Sequence, residues 1–188
     1  MNSALPPLVL AISLGLGALA CAALGHAEPW PAPVAPAIPE ASGYVAIPGA
    51  AVMPESGRMY HAVFDATRAA EAPGQILPAL DMAGSELNLL AATGMPKAHT
   101  RFVVVFHGPA VDGILDDAHY RGKYGVANPN LAALSGMRKA GVELFVCGQH
   151  LAFAHVDPAT LSPDVRVASD ALIVLMTYQA QGYTLLSF

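Results

Sequence analysis

The chain has 188 residues, of which 54% are hydrophobic and only 12% charged, with a formal net charge of −5. That balance suits one compact domain with appendages. All nine Lys and Arg lie at or after Arg58, without a dense basic cluster, which argues against nucleic-acid binding because phosphate neutralisation needs a concentrated cationic face.

The first segment reads as an export leader. Leu8 to Leu24 is uncharged and rich in Leu and Ala, and Gly25-His26-Ala27 is a small-x-small cleavage pattern that would leave Glu28 as a new N-terminus. The expectation is a signal peptide over residues 1–27 and a periplasmic or secreted protein with no membrane attachment after cleavage. A retained anchor is the rival, since the stretch before the apolar run holds no Lys or Arg and seventeen apolar residues sit at the short limit for spanning. Cys21 falls within this leader, so its removal leaves Cys147 as the sole cysteine and no intramolecular disulfide.

Residues 28–57 carry seven prolines, Pro29 to Pro54, and are expected to be an irregular tether or wrapping arm, mostly outside the fold. Trp30, the only tryptophan, is a candidate surface anchor. The domain proper is expected over 58–188. MYHAVFDA (59–66) reads as a strand, and the spacing of Ile76, Leu80, Ala83, Leu87 and Leu90 predicts a helix over 75–93, stopped by Gly94 and Pro96. FVVVFH (102–107) has the continuous apolar pattern of a strand buried on both faces of a parallel sheet. Residues 108–127 are too long for an ordinary connection, which points to function or hidden structure. VDGILDD could form a helical turn there, with Tyr120, Arg121, Lys123 and Tyr124 on a mobile rim over a ligand. A surface excursion or subunit contact is the other reading.

Asn128-Pro129 is expected to cap a helix through Leu131, Leu134 and Met137, ending at Gly141. VELFVC (142–147) and VRVA (165–168) read as strands. Ser169 then caps a last helix to Gly182, and YTLLSF (183–188) closes the sheet. The alternation predicts an α/β sandwich around a mostly parallel five-stranded sheet.

Ligands of open α/β sheets bind beyond the carboxyl ends of the strands, where Asp65, His107 and Cys147 are each expected to fall. A helix starting at Gly148 would place the Cys147 thiol among unpaired N–H groups that favour a thiolate. The competing reading makes Cys147 a small buried hydrophobe. His107 is the expected partner of Cys147, as base or hydrogen-bond donor. Cys147, His150 and His155 also have ligand-like spacing, but three residues of one short helix do not converge on one metal ion. The chain shows neither common phosphate-loop spacing nor a nucleophile elbow, the parts expected of a nucleotide-dependent enzyme or an ordinary hydrolase.

FVVVFHGPAV, the Asn-Pro-x-Leu helix, AGVELFVCGQHL, DPATLSPDVRVASDALIVL and the ending QGYTLLSF together resemble the DsrE/DsrF-like family, over about Met59 to Phe188. The likeness is to its exported DsrE-like branch. It implies a three-layer α/β sandwich with a parallel five-stranded sheet, trimeric or hexameric assembly, and sulfur relay as a cysteine persulfide without a metal or nucleotide cofactor. Cys147 matches the sulfur-accepting cysteine, so a protein sulfur donor or acceptor is the implied partner. Two departures bear on this: export excludes cytoplasmic tRNA thiolation, and Val-Cys-Gly differs from the relay subunits, where an Ala-rich helix follows the cysteine. The alternative is a non-catalytic oligomeric binding module in which Cys147 only packs. Assembly is also expected physically, because Ala171 to Met176 is apolar nearly all round and must be covered on both sides.

Overall fold

The computed structural model of the chain describes Met1 and residues 30–188. The apolar run of the expected leader, its cleavage site and Cys21 lie outside the described residues. Among the described residues no helix is long and apolar enough to cross a membrane.

Five strands alternate with helices. They are β1 (Tyr60–Ala66), β2 (Thr100–Phe106), β3 (Glu143–Cys147), β4 (Arg166–Ala168) and β5 (Thr184–Ser187). The helices are α1 (Pro78–Ala92), α2 (Asp117–Tyr124), α3 (Leu131–Ala140), α4 (Gly148–Ala154) and α5 (Ala171–Ala180). The sheet order is β4-β3-β2-β1-β5 and every pairing is parallel, so the fold is the expected three-layer α/β sandwich. β1 and β2 pair in register from Tyr60↔Thr100 to Ala66↔Phe106. Both are central, which explains why Val63, Phe64, Val103, Val104, Val105 and Phe106 are all buried and why β2 carries an unbroken apolar run.

The two faces are covered unequally. One cluster joins Phe64, Phe102, Val104, Phe106 and Leu144 to Leu80 and Leu87 of α1 and to Leu134 and Met137 of α3. The other is small: Val63, Val103, Val105 and Cys147 lie under Ala171, Val174 and Leu175 of α5.

The long connection after β2 is folded. Gly108–Ile114 is a 3-10 segment, and α2 follows with Asp116 capping it by accepting from the His119 N–H at 2.8 Å. The residues expected on a mobile rim are committed elsewhere. Tyr120 is buried and its hydroxyl donates to the Pro73 carbonyl at 2.7 Å. Lys123 and Tyr124 both bind Asp112, and Arg121 binds Asp117 at 2.6 Å.

Two caps differ from expectation because nearby polar residues compete for the same role. Asn130, not Asn128, precedes α3. The Asn128 amide instead donates to the Gly113 and Leu115 carbonyls, and Asn130 Oδ1 accepts from the Leu77 N–H at 2.7 Å. These two buried asparagines tie the segment after β2 to the entrance of α1. At α5 the cap is Asp170 rather than Ser169, its carboxylate accepting from the Leu172 N–H.

Among its described residues the Pro-rich arm forms no helix, yet part of it is docked rather than lying outside the fold. Val34 and Tyr44 bridge antiparallel, closing a loop that inserts Ile38, fully buried, against α1 and α3. Asn88 of α1 holds this loop with all of its amide. Its Oδ1 accepts from the Ala37 and Ile38 N–H groups at 2.9 and 2.8 Å. Its Nδ2 donates to the Ile38 and Ser42 carbonyls at 3.0 and 3.2 Å. Gly84 clears the way, since a Cβ there would stand 2.3 Å from the Ala41 methyl carbon. Trp30 is 69% exposed and anchors nothing among the described residues.

Asn88→Ala strands three buried or half-buried backbone groups of the loop. It is expected to cost about 2–3 kcal/mol in urea denaturation, on the scale of unsatisfied buried polar groups. Protease should then cut within 34–44, whereas in the wild-type chain that loop should resist cleavage.

Candidate functional site at the carboxyl edge of the sheet

Three side chains expected at strand ends are brought to one edge and one face. The register pairs Phe106 with Val146, so His107 and Cys147 follow as lateral neighbours on strands about 4.8 Å apart. Alternation assigns Val63 and Asp65, Val103, Val105 and His107, and Phe145 and Cys147 to the face beneath α5. His107 keeps the pattern because its backbone is still extended, with φ −154° and ψ 174°.

Asp65 and His107 form a tight pair, Nε2 to Oδ1, at 2.6 Å. They are only partly shielded, with side-chain exposures of 18% and 28%. The carboxylate accepts from Nε2–H, which fixes the ring and leaves Nδ1 as the nitrogen open to another group. The Asp65 carboxylate is thereby held by the imidazole rather than left without a partner. Its charge is directed at the imidazole.

Cys147 ends β3 and caps α4, as the sequence suggested. Its Sγ accepts from the His150 N–H at 3.4 Å, supplying one of the partners that a helix start leaves wanting. The glycine after it has a physical reason. A Cβ on Gly148 would lie 2.5 Å from the Ala168 carbonyl oxygen, so only glycine lets β4 close against the β3–α4 turn. Cys147 is 6% exposed and packs in the small cluster under α5.

His150 and His155 do not join the site as ligands. Among the described residues no group of three His, Cys, Asp or Glu side chains could hold a metal ion. His155 instead ends α4 in a left-handed conformation, φ 53°, uncommon for a residue with a side chain.

The surroundings of this edge are apolar. Phe153 on α4 is 82% exposed and Val167 on β4 51%. Leu172, Ile173 and Met176 on the outer side of α5 are 60%, 53% and 57% exposed. At the other end of the same face, Tyr178 donates to Glu143 at 2.9 Å, and burial together with that bond pushes its phenol up to about 12. Residue-by-residue reading missed this aromatic group, which continues through Tyr183 to His61 with ring centroids 4.9 Å apart. His61 lies more than a hundred residues before Tyr178 and Tyr183, and it meets them because β1 and β5 are paired. A groove of about 670 Å³ also escaped the sequence reading, and it lies on the opposite face, against α1.

The DsrE/DsrF-like family model matches residues 61–188. Among solved structures, a protein of unknown function from Methanobacterium thermoautotrophicum shares 21% identity at a TM-score of 0.50, over 69% of this chain and 99% of that one. The ychN protein of E. coli shares 15% identity at a TM-score of 0.49, over 69% of this chain and all of its own. A search of curated proteins finds no match to the chain.

Gly148→Ala is expected to destabilise the domain by about 1–3 kcal/mol, the usual cost of forcing extra volume into a packed site. The loss is checked by thermal unfolding. It should be larger than that of Gly122→Ala, where an added Cβ meets nothing within 4 Å.

Proposed function

The chain belongs to the DsrE/DsrF-like family, and from that premise we propose that it is an exported, thiol-based sulfur carrier using a persulfide on Cys147. The observation that carries this reading is the placement of Cys147 at the carboxyl edge, capping α4 beside the Asp65–His107 pair. In the step, the Cys147 thiolate attacks the outer sulfur of a donor persulfide. A new S–S bond forms at Cys147, the donor's S–S bond breaks, and the donor leaves as a thiolate. The cysteine proton passes to a base, for which His107 Nδ1 is the nearest candidate by register. Nothing is oxidised overall, and no metal or nucleotide enters. With the leader cleaved after Ala27, no second cysteine remains to resolve the persulfide, so the sulfur leaves to another molecule. The exposed Phe153 and Val167 supply an apolar contact for a protein donor or acceptor.

A second reading is favoured by the burial of Cys147, 6% exposed among valines and alanines. In it the protein is a non-catalytic oligomeric binding module and the cysteine fills space. The two separate in one experiment. Incubation with a persulfide donor should add one sulfur atom, about 32 Da, to the Cys147 peptide, and Cys147→Ser should abolish the gain while the domain stays folded. A thiol that resists alkylation until denaturant is added assigns Cys147 to packing.

Either reading includes assembly into a homo-oligomer, a trimer or hexamer by family likeness. The exposed Leu172, Ile173 and Met176 of α5 would form its contact. Light scattering at micromolar concentration is expected to show the oligomer, and Ile173→Asp to shift it to monomer. A wild-type monomer at that concentration refutes the assembly.

A further inference from the structure

The groove of about 670 Å³ on the α1 face is large enough for a small ligand. It exists because α1 packs on β1 and β2 and leaves the same side of β5, the edge strand, without a helix over it. Its walls are apolar: Met82 and Leu89 from α1, Leu186 and Phe188 from the end of the chain, and Met53 from the arm.

The lining also holds Arg58, Tyr60, His61 and Thr184, and Glu86 is its one carboxylate. Glu86, one turn beyond Met82, is half-buried in the wall, and among the described residues no hydrogen bond or ion pair reaches it. Burial holds its carboxyl above the ordinary value, with no neighbouring cation opposing the shift. The basic side chain on the rim, Arg58, is already paired with Glu55 at 3.1 Å. A lone carboxylate in an apolar wall costs stability, and a position that breaks a local rule without local compensation is where function is expected.

We propose that this groove binds an elongated apolar molecule carrying a protonated amine, its ammonium on Glu86 and its hydrocarbon along Met82, Leu89, Leu186 and Phe188. An ammonium supplies the charge and the donors that Glu86 lacks, in a charge-assisted contact stronger than a neutral one. The thioethers of Met53 and Met82 adapt to a chain of varied shape. A carboxylate-headed molecule of the same length meets like charge, and a neutral one leaves Glu86 unpaired. The site lies across the sheet from Cys147 and does not depend on the chemistry there.

The test is calorimetric titration of the full chain with dodecylamine, dodecanol and dodecanoate, each below its micelle-forming concentration. Dodecylamine is expected to saturate at one per chain, about tenfold or more tighter than dodecanoate, the scale of one charge-assisted contact. Glu86→Gln should erase the preference for the amine while dodecanol still binds. Met82→Lys sets an ammonium four residues before Glu86 and removes part of the apolar wall, so it should weaken the amine more than dodecanol. Equal affinity for the three probes, no binding of the amine, or an unchanged amine preference in Glu86→Gln would overturn the proposal. Circular dichroism of both variants shows whether any loss comes from unfolding.

Discussion

A sheet whose strands all run the same way needs cover on both faces, because its central strands carry apolar side chains on each side. Here β1 and β2 meet that condition in full, and the chain supplies cover of very different thickness to the two sides. On one face α1 and α3 make the main core, with the docked arm closing over them. On the other, α5 alone shields Val63, Val103, Val105 and Cys147. The arm, the apolar outer side of α5 and the open groove at β5 are three answers to that one requirement. The first is met within the chain. The second leaves apolar side chains exposed, and the third leaves an open groove.

The same sheet fixes what can happen at its carboxyl edge. Parallel register delivers the residues after β1, β2 and β3 to one rim, so Asp65, His107 and Cys147 converge although some forty residues separate each from the next. Their chemistry is then sorted by hydrogen bonds. Asp65 spends its charge on His107, and Cys147 takes an N–H from α4. Shielding limits what the sulfur can reach in a single chain, since α5 overlies it and Gly148 draws β4 tight against the turn. Under the proposed carrier role, a docked partner would have to reach this sulfur, which the fold keeps from bulk solvent.

Much of this was legible in the sequence. The unbroken run FVVVFH marked a doubly buried strand, and the apolar spacing marked α1, with Gly94 and Pro96 as its stop, although the helix begins at Pro78 rather than residue 75. Cys147 before a glycine gave the strand–helix junction, and the family likeness agreed. What escaped reading depends on distant partners. Nothing local to Asn88 says that its amide will hold a loop fifty residues earlier, because an asparagine inside a helix ordinarily weakens it. Likewise, Tyr120 and Lys123 look like rim residues until Pro73 and Asp112 are placed beside them. Long-range pairing of polar groups, unlike hydrophobic period, leaves no trace in a local window.

The arm shows how composition can mislead about position. Seven prolines between residues 28 and 57 do forbid helix and central strand, and none forms among the described residues 30–57. Proline also lowers the conformational freedom lost on docking, so a proline-rich loop can be held by few contacts. Ile38 contributes about 1.5–3 kcal/mol by burial, and four hydrogen bonds from Asn88 fix its orientation. That is enough to make residues 34–44 part of the core while residues 45–57 remain an irregular connection. The segment at Val52 to Pro54 then returns to line the groove beside α1, so the arm covers one apolar region and shapes the mouth of another. The placement of Glu86 therefore depends on α1, on the edge strand and on the arm together, three elements that meet only in the folded chain.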